Sequence, residues 1–364
     1  MDKDNNEIFI NGRFLTQQTT GVQRYAQELV KALDGMLSDS NNPPALSYTL
    51  LSPRKIQHSL GLTNIAQRRI GLLGGHLWEQ VELPLYTGTR PLLNLYTAPL
   101  AKKNQIVTLH DASVFEMPAA YSKTYARYYR TAFRMLCKRS RGMLTVSRFS
   151  RDSFSRFCSR PSGSIAVIYE GHEHITRVAA DTDVFLRKAI DLLRPYIIVV
   201  GMTDRKNLDG IVQAAALLQK YRLSVLITGR ADAHLVQPRA SALPANVKTI
   251  GYVSDSELRA LYENALCLLY PSFYEGFGLP PLEAMACGCP VVLSDIPVFK
   301  ELYGSTALYC DAHAPRSIAA AALRFRRDPA LRRRIGAEAQ HCAANFSWQT
   351  SARQVHKAVQ RFLL

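Results

Sequence analysis

No part of this 364-residue chain is built to cross a bilayer: its apolar runs are short, Ile197–Val200 among the longest, against the roughly twenty residues a spanning helix needs. The start, Met1-Asp2-Lys3-Asp4-Asn5-Asn6, is polar and lacks a signal-peptide pattern, so a cytoplasmic chain is expected. Cysteine is present in no metal-binding order. There are seven, an odd count, and Cys287 and Cys289 in ACGCP stand one residue apart, which is not a zinc-knuckle spacing. Packing is their expected role, and neither a disulfide, a metal nor a cofactor is expected. Internal repeats, low-complexity tracts and recognised nucleic-acid motifs are also missing. Acid is in short supply: 29 Asp and Glu face 45 Lys and Arg, a formal charge of +16.

That excess is local. Residues 101–160 hold thirteen Lys and Arg against three Asp and Glu. Lys123, Arg127, Arg130, Arg134, Lys138 and Arg141 follow steps of three and four along one helix face, while Tyr125, Tyr129, Ala132 and Leu136 take another. A charge run is often only a solvated face. Six cations without an interleaved acid also suit an anionic membrane surface, a polyanionic acceptor or nucleic acid.

An apolar share of 47% and this length fit two domains. Short apolar strands alternate with amphipathic helices throughout, the pattern of parallel α/β units. The first half gives strands at Glu7–Ile10, Ser47–Leu51, Leu92–Tyr96, Gln105–Leu109, Met143–Val146 and Ile165–Ile168, with helices at Val22–Leu33, Ser122–Arg139 and Ser150–Phe157. Residues 171–194 carry clustered charge and no strand pattern, which marks a linker. The second half gives strands at Tyr196–Val200, Ser224–Thr228, Val247–Ile250, Leu266–Leu269, Val291–Leu293 and Ala307–Tyr309, one helix opening on a Ser254-x-x-Glu257 capping box. The fold class expected is α/β, two Rossmann-like, doubly wound domains over 1–180 and 181–345 facing across a cleft. A last helix over 346–364 would cross back to the first domain.

The segment EGFGLPPLE, residues 275–283, is the most informative about function. Its glycines let backbone N–H groups approach a ligand, and Pro280 suits the first position of a helix. Such a helix N-terminus binds anions, so Phe277, Gly278 and Leu279 would offer amides to a diphosphate or a sugar hydroxyl. Glu275 in the loop and Glu283 in the first turn would accept hydrogen bonds from vicinal hydroxyls. A nucleotide sugar, with a hydroxylated ring at each end of a charged centre, has that shape.

In the second domain the strand Ile197–Val200 runs into Gly201, then Arg205 and Lys206 at a helix entry, where two cations would clamp a diphosphate. In the first, His110 follows a strand at its C-terminal end, where it would bond a sugar hydroxyl. Gly21, after Thr19-Thr20, opens a helix and leaves room for an acceptor or phosphate.

The segments EGFGLPPLEAMACGCPVVLSD, GMTDRKNLDG, PSFYEGFG, LHDAS and TTGVQRYAQEL together resemble glycosyltransferase family 4, retaining enzymes of the GT-B fold. The resemblance implies a nucleotide-sugar donor on the second domain, an acceptor on the first, and no metal ion. It implies that Glu275 binds the donor sugar hydroxyls, Glu283 the ribose, Arg205 and Lys206 the diphosphate, and His110 the transferred sugar. It leans towards GDP-mannose, with UDP-sugars next, and a saccharide acceptor. One departure stands out: many members carry a Gly-Gly pair where this chain has Thr20-Gly21.

The expected activity is metal-independent hexosyl transfer with retention, to a lipid-linked acceptor of bacterial polysaccharide assembly at the inner face of the plasma membrane. A non-hydrolysing sugar-nucleotide epimerase shares the architecture and needs no acceptor. A basic nucleic-acid-binding protein would explain the charge but not the paired glutamates, and no nucleic-acid partner is expected.

Overall fold

The computed structural model describes residues 7–38, 46–231 and 243–363; the polar start Met1–Asn6 lies outside them. The chain forms two compact units, one of Met1–Pro118, Ser122–Gly171 and Ser347–Leu364, the other of Ala119–Tyr121 and His172–Phe346. The change of unit falls at Gly171/His172 and not at 180/181. Residues expected to link the domains are instead packed, since the short helices Glu173–Thr176 and Val184–Arg187 bury Ile175 and Val184.

The first unit holds β1 (Glu7–Asn11), β2 (Ser47–Ser52), β3 (Ala66–Arg69), β4 (Leu92–Asn94), β5 (Gln105–Thr108), β6 (Gly142–Thr145) and β7 (Ile165–Val167). All pair in parallel in the order β3-β2-β1-β4-β5-β6-β7. β3 reads AQRR and is exposed along its length, so no apolar pattern announced it. The helix Gly21–Met36 follows β1, and near its end Asp34 accepts the N–H groups of Thr63, Asn64 and Ile65 at 3.0, 2.8 and 2.7 Å. The helix Trp348–Leu363 packs here too, with Trp348 edge-on to Tyr25 at 5.9 Å and His356 Nδ1 2.9 Å from Tyr48 Oη.

The second unit holds β8 (Tyr196–Met202), β9 (Ser224–Ala231), β10 (Val247–Gly251), β11 (Cys267–Tyr270), β12 (Val291–Ser294) and β13 (Leu308–Cys310). The order is β10-β9-β8-β11-β12-β13, again parallel. Ile197, Val199, Val225 and Ile227 pack against Ile211, Ala214 and Leu218 of the helix Leu208–Leu218. Each large aliphatic buried this way stabilises the fold by roughly 1.5–3 kcal/mol. Cys267 and Cys310 sit in the same core as small apolar residues. The expected capping box is formed: Ser254 Oγ accepts from Glu257 N at 3.3 Å, and Glu257 Oε2 accepts from Ser254 N at 2.7 Å.

Strand order reverses between β1 and β4 in one sheet and between β8 and β11 in the other. Open parallel sheets bind ligands beyond the C-terminal strand ends at such reversals. The loop leaving β8 carries Thr203–Lys206 and the loop leaving β11 carries Ser272–Glu275.

Candidate active site

β8 loses register with β9 between Val200 and Met202, and Gly201 there takes φ +95, a conformation that favours glycine. The chain turns through Asp204–Lys206, and Lys206 folds back over Gly201, its side chain filling the space a Cβ would need. Lys206 Nζ donates to Val200 O at 3.1 Å and stands 5.0 Å from the centre of the Tyr270 ring. Burial lowers its pKa; Glu275 raises it, Arg205 lowers it and Glu283 raises it. The ammonium therefore lies in the field of both motif glutamates.

Glu275 is buried at the exit of β11. Its Oε1 accepts from Tyr270 Oη at 2.9 Å and Ser272 Oγ at 3.0 Å, which leaves Oε2 facing Arg205 Nη2 at 3.8 Å. Phe273 N also donates to Arg205 O at 3.0 Å, tying the β8 and β11 loops together. Of the residues expected to act on the donor, Arg205, Lys206 and Glu275 thus converge at one strand-order reversal. Thr203, in the same loop, has a buried Oγ1 with no hydrogen-bond partner among the described residues. The sequence reading passed over Thr203, Tyr270 and Ser272, because a hydroxyl in a loop has no distinguishing pattern before the loops are brought together.

The helix of the EGFGLPPLE segment spans Leu279–Ala286, so it opens at Leu279 with Pro280 second. Gly278 caps it at φ +104, where a Cβ would stand 2.8 Å from Phe299 Cε1. Tyr303 Oη donates to Gly278 O at 3.1 Å and fixes the cap. Pro280 and Pro281 have no N–H, so the double proline removes two of the donors that a first turn normally offers. The amides of Gly278 and Leu279 remain at the tip, beside Phe277, whose ring is buried edge-on to Phe346 at 5.8 Å.

Glu283 corrects the expectation. It occupies the second turn, and the first turn of this helix holds no acid. Glu283 Oε1 stands 2.8 Å from His174 Nε2, and Oε2 accepts from Tyr262 Oη at 3.2 Å. Neither partner was foreseen: His174 lies in the segment taken for a linker. Glu301 sits half-buried on the helix Pro297–Tyr303.

In the first unit, His110 follows β5 and its Nε2 donates to Leu95 O, just beyond β4, at 3.0 Å. A carbonyl only accepts, so Nε2 carries the proton and Nδ1 is left as an acceptor; it has no partner among the described residues. Burial lowers the pKa of this imidazole, against the Leu95 carbonyl and Asp111, which raise it. Gly21 opens its helix with Thr20 as cap, Gln23 Oε1 accepting from Thr20 N at 3.1 Å. A Cβ at Gly21 would meet nothing within 4 Å, so the fold itself does not require glycine there.

The basic helix spans Lys123–Arg139, which leaves Arg141 beyond its end. Its cations are not equivalent. Arg130 Nε donates to Val114 O at 2.6 Å, Arg134 lies 5.3 Å over the Phe115 ring, and Arg141 Nη1 donates to Leu363 O at 3.3 Å. Lys123, Arg127 and Lys138 are exposed. Tyr125, expected on a different face from the cations, is exposed as well, since Ala126, Ala132, Leu136 and Cys137 fill the buried side. Among the described residues no acid, histidine and cysteine cluster could hold a metal ion.

Comparison with known proteins gives the family and the fold. The family profile described as "Glycosyl transferases group 1" matches residues 185–341. O-antigen chain mannosyltransferase B of Escherichia coli is 31% identical over 270 residues, 71% of each chain. O-antigen chain mannosyltransferase RfbU of Salmonella typhimurium is 32% identical over 246 residues, 66% of each chain. Anabaena HepE, solved in complex with UDP-glucose, superposes with a TM-score of 0.74 at 17% identity over 98% of this chain and 99% of its own. Two parallel α/β units whose second carries the matched profile, and a mannosyltransferase relative aligned over most of both chains, make this protein a member of the group 1 glycosyl transferases with the GT-B fold.

Proposed function

We propose that this glycosyltransferase moves mannose from GDP-mannose to a saccharide acceptor with retention at the anomeric carbon, in bacterial polysaccharide assembly. The observation that carries the reading is the ion pair of Arg205 with Glu275 at 3.8 Å, with half-buried Lys206 beside it, at the β8/β11 reversal. Both relatives described above are O-antigen mannosyltransferases, which supports mannose as the sugar.

In this reading the departing diphosphate gains charge as the anomeric centre becomes cationic. Arg205 and Lys206 are fixed before the reaction and meet that charge without reorganising. Lys206 spends one donor on Val200 O and keeps two for phosphate oxygens. Glu275 accepts from sugar hydroxyls, Glu283 from the ribose, and the amides of Gly278 and Leu279 face the anion. His110 Nδ1 accepts from a hydroxyl of the transferred sugar, and the open space at Gly21 receives the acceptor. The leaving phosphate takes the acceptor's proton, since no carboxylate is assigned as nucleophile.

The acceptor is proposed to be lipid-linked, approached at an anionic membrane surface on the cytoplasmic side through Lys123, Arg127 and Lys138. Among the described residues no helix is long and apolar enough to cross a membrane.

A panel of GDP- and UDP-sugars tested by thermal shift, followed by NMR of the transfer product, tests the reading. GDP-mannose should raise the melting temperature most, and the product should carry an α-mannoside. An inverted product, or conversion of the donor with no acceptor present, would overturn it.

A further inference from the structure

Exposed large apolar side chains gather in one stretch of the first unit. Leu72 is 78% exposed, Leu77 63% and Leu85 77%, with Leu73 and Val81 also in solvent. Leu77, Val81 and Leu85 stand four apart along a continuous helical run, Gly75–Leu77, Trp78–Glu82 and Leu83–Thr87, so they form one stripe. The other side of that run is anchored. Trp78 and Leu83 are fully buried, Trp78 Nε1 donates to Ile70 O at 3.0 Å, and Glu79 Oε2 pairs with Arg13 Nη1 at 2.6 Å. The stripe is therefore held outward by a fixed core side, and apolar patches of this kind mark contact surfaces.

The loop before it is built as well. Glu82 accepts the N–H groups of both Leu72 and Leu73, at 2.8 and 2.9 Å. Gly71, at φ +73, has the Glu82 carboxylate where a Cβ would stand. An exposed loop in water does not need its amides satisfied internally. A loop entering a poorly hydrated medium does, because an unpaired N–H is costly there.

The surrounding charge selects the medium. Arg54 and Lys55 lie just beyond β2 and Arg69 ends β3, at the same end of these strands as the leucine loop, and none has an ion pair among the described residues. The acids of residues 53–90 are Glu79 and Glu82, both engaged as above. Apolar side chains rimmed by cations complement an anionic lipid surface. His110 also lies beyond a C-terminal strand end of this sheet.

We infer that Leu72, Leu73 and the stripe Leu77, Val81 and Leu85 form a wedge that inserts into the interface of an anionic lipid bilayer, with Arg54, Lys55 and Arg69 at the headgroups. This deepens the proposed membrane approach and rests on it. It adds to the helix Lys123–Arg139 a second contact on the same unit.

The test is flotation of the full chain with vesicles of phosphatidylcholine alone or equimolar with phosphatidylglycerol. The wild type should float with the anionic vesicles. Leu72→Ser with Leu73→Ser should bind them about tenfold more weakly, at an unchanged melting temperature and unchanged turnover on a soluble acceptor. Leu72→Trp should show blue-shifted emission on the same vesicles. Unchanged flotation of the double variant, or no emission shift, overturns the wedge. If Lys123→Ala with Arg127→Ala abolishes flotation while the leucine variant floats normally, the membrane reading survives and the wedge falls. No flotation of the wild type ends both. A wild-type dimer that the leucine variant converts to monomer would show that a second copy covers this face instead.

Discussion

His174 Nε2 and Glu283 Oε1, 109 positions apart in sequence, lie 2.8 Å apart, and Tyr262 Oη holds the other carboxylate oxygen at 3.2 Å. The arrangement fixes the carboxylate plane, and with it the direction in which the remaining lone pairs meet a diol. If Glu283 grips the donor ribose, far from the bond that breaks, its supports should govern binding more than chemistry. His174→Leu should raise the donor KM about tenfold with kcat nearly unchanged, while His174→Gln, which keeps an N–H, should recover most of the loss. Steady-state kinetics decide the matter; a fall in kcat at constant KM would refute it.

Arg205 and Lys206 make the opposite prediction. Their proposed partner is charge that grows only as the diphosphate leaves, so removing either should act on turnover. Arg205→Ala and Lys206→Ala are each expected to lower kcat about a hundredfold, with a smaller change in donor affinity measured by calorimetry. Near-normal turnover in both variants would end the clamp.

Gly201 tests the same loop through its backbone. At φ +95 with Lys206 packed against it, a methyl group must both strain the turn and displace the lysine. Gly201→Ala should cost about 1–3 kcal/mol of stability and also lower kcat. Gly304, at φ +50 with open space around its Cβ position, provides the control. Gly304→Ala should lose stability and keep turnover. Equal turnover for the two variants would show that the Gly201–Lys206 contact is only structural.

The sheets were legible because parallel strands buried on both faces read as short apolar runs, as at β8 and β12. β3 escaped because an exposed edge strand of Ala, Gln and Arg carries no such run. The loops proposed to hold the donor stood out through residues whose chemistry is rare in combination: two acids around a glycine turn, and an Arg-Lys pair after a strand. His174, Tyr262 and Tyr270 did not, because each acts by reaching a carboxylate that only the folded chain brings near. The basic helix shows the converse. The helix is where its spacing put it, but it ends before Arg141, and spacing could not reveal that Arg130 and Arg141 spend donors on backbone carbonyls.

Thr203 offers a test with two distinguishable results. Its buried Oγ1 lacks a partner among the described residues, in the loop assigned to the diphosphate. An unmet hydroxyl costs about 1–3 kcal/mol, so Thr203→Val, which keeps the shape, should raise the melting temperature. If the hydroxyl serves the donor, the same variant should weaken donor binding severalfold. A stabilised variant with unchanged donor affinity would remove Thr203 from the site.

His110 should set the acidic limb of the activity profile. Its neutral form, with Nε2–H bonded to Leu95 O and Nδ1 open as an acceptor, is the one that can take a hydrogen bond from a sugar hydroxyl. Burial holds the folded pKa below the ordinary 6.5. Between those two values the unfolded chain binds a proton that the native one does not, so stability rises with pH across that window. The contribution is complete above 6.5 and is lost as pH falls towards the folded pKa, below which both states are protonated. The kcat/KM profile should accordingly fall only at pH below 6.5, and His110→Ala should lower kcat/KM throughout and erase that limb. A limb at or above the ordinary histidine value, or one that persists in His110→Ala, would assign the titration to another group.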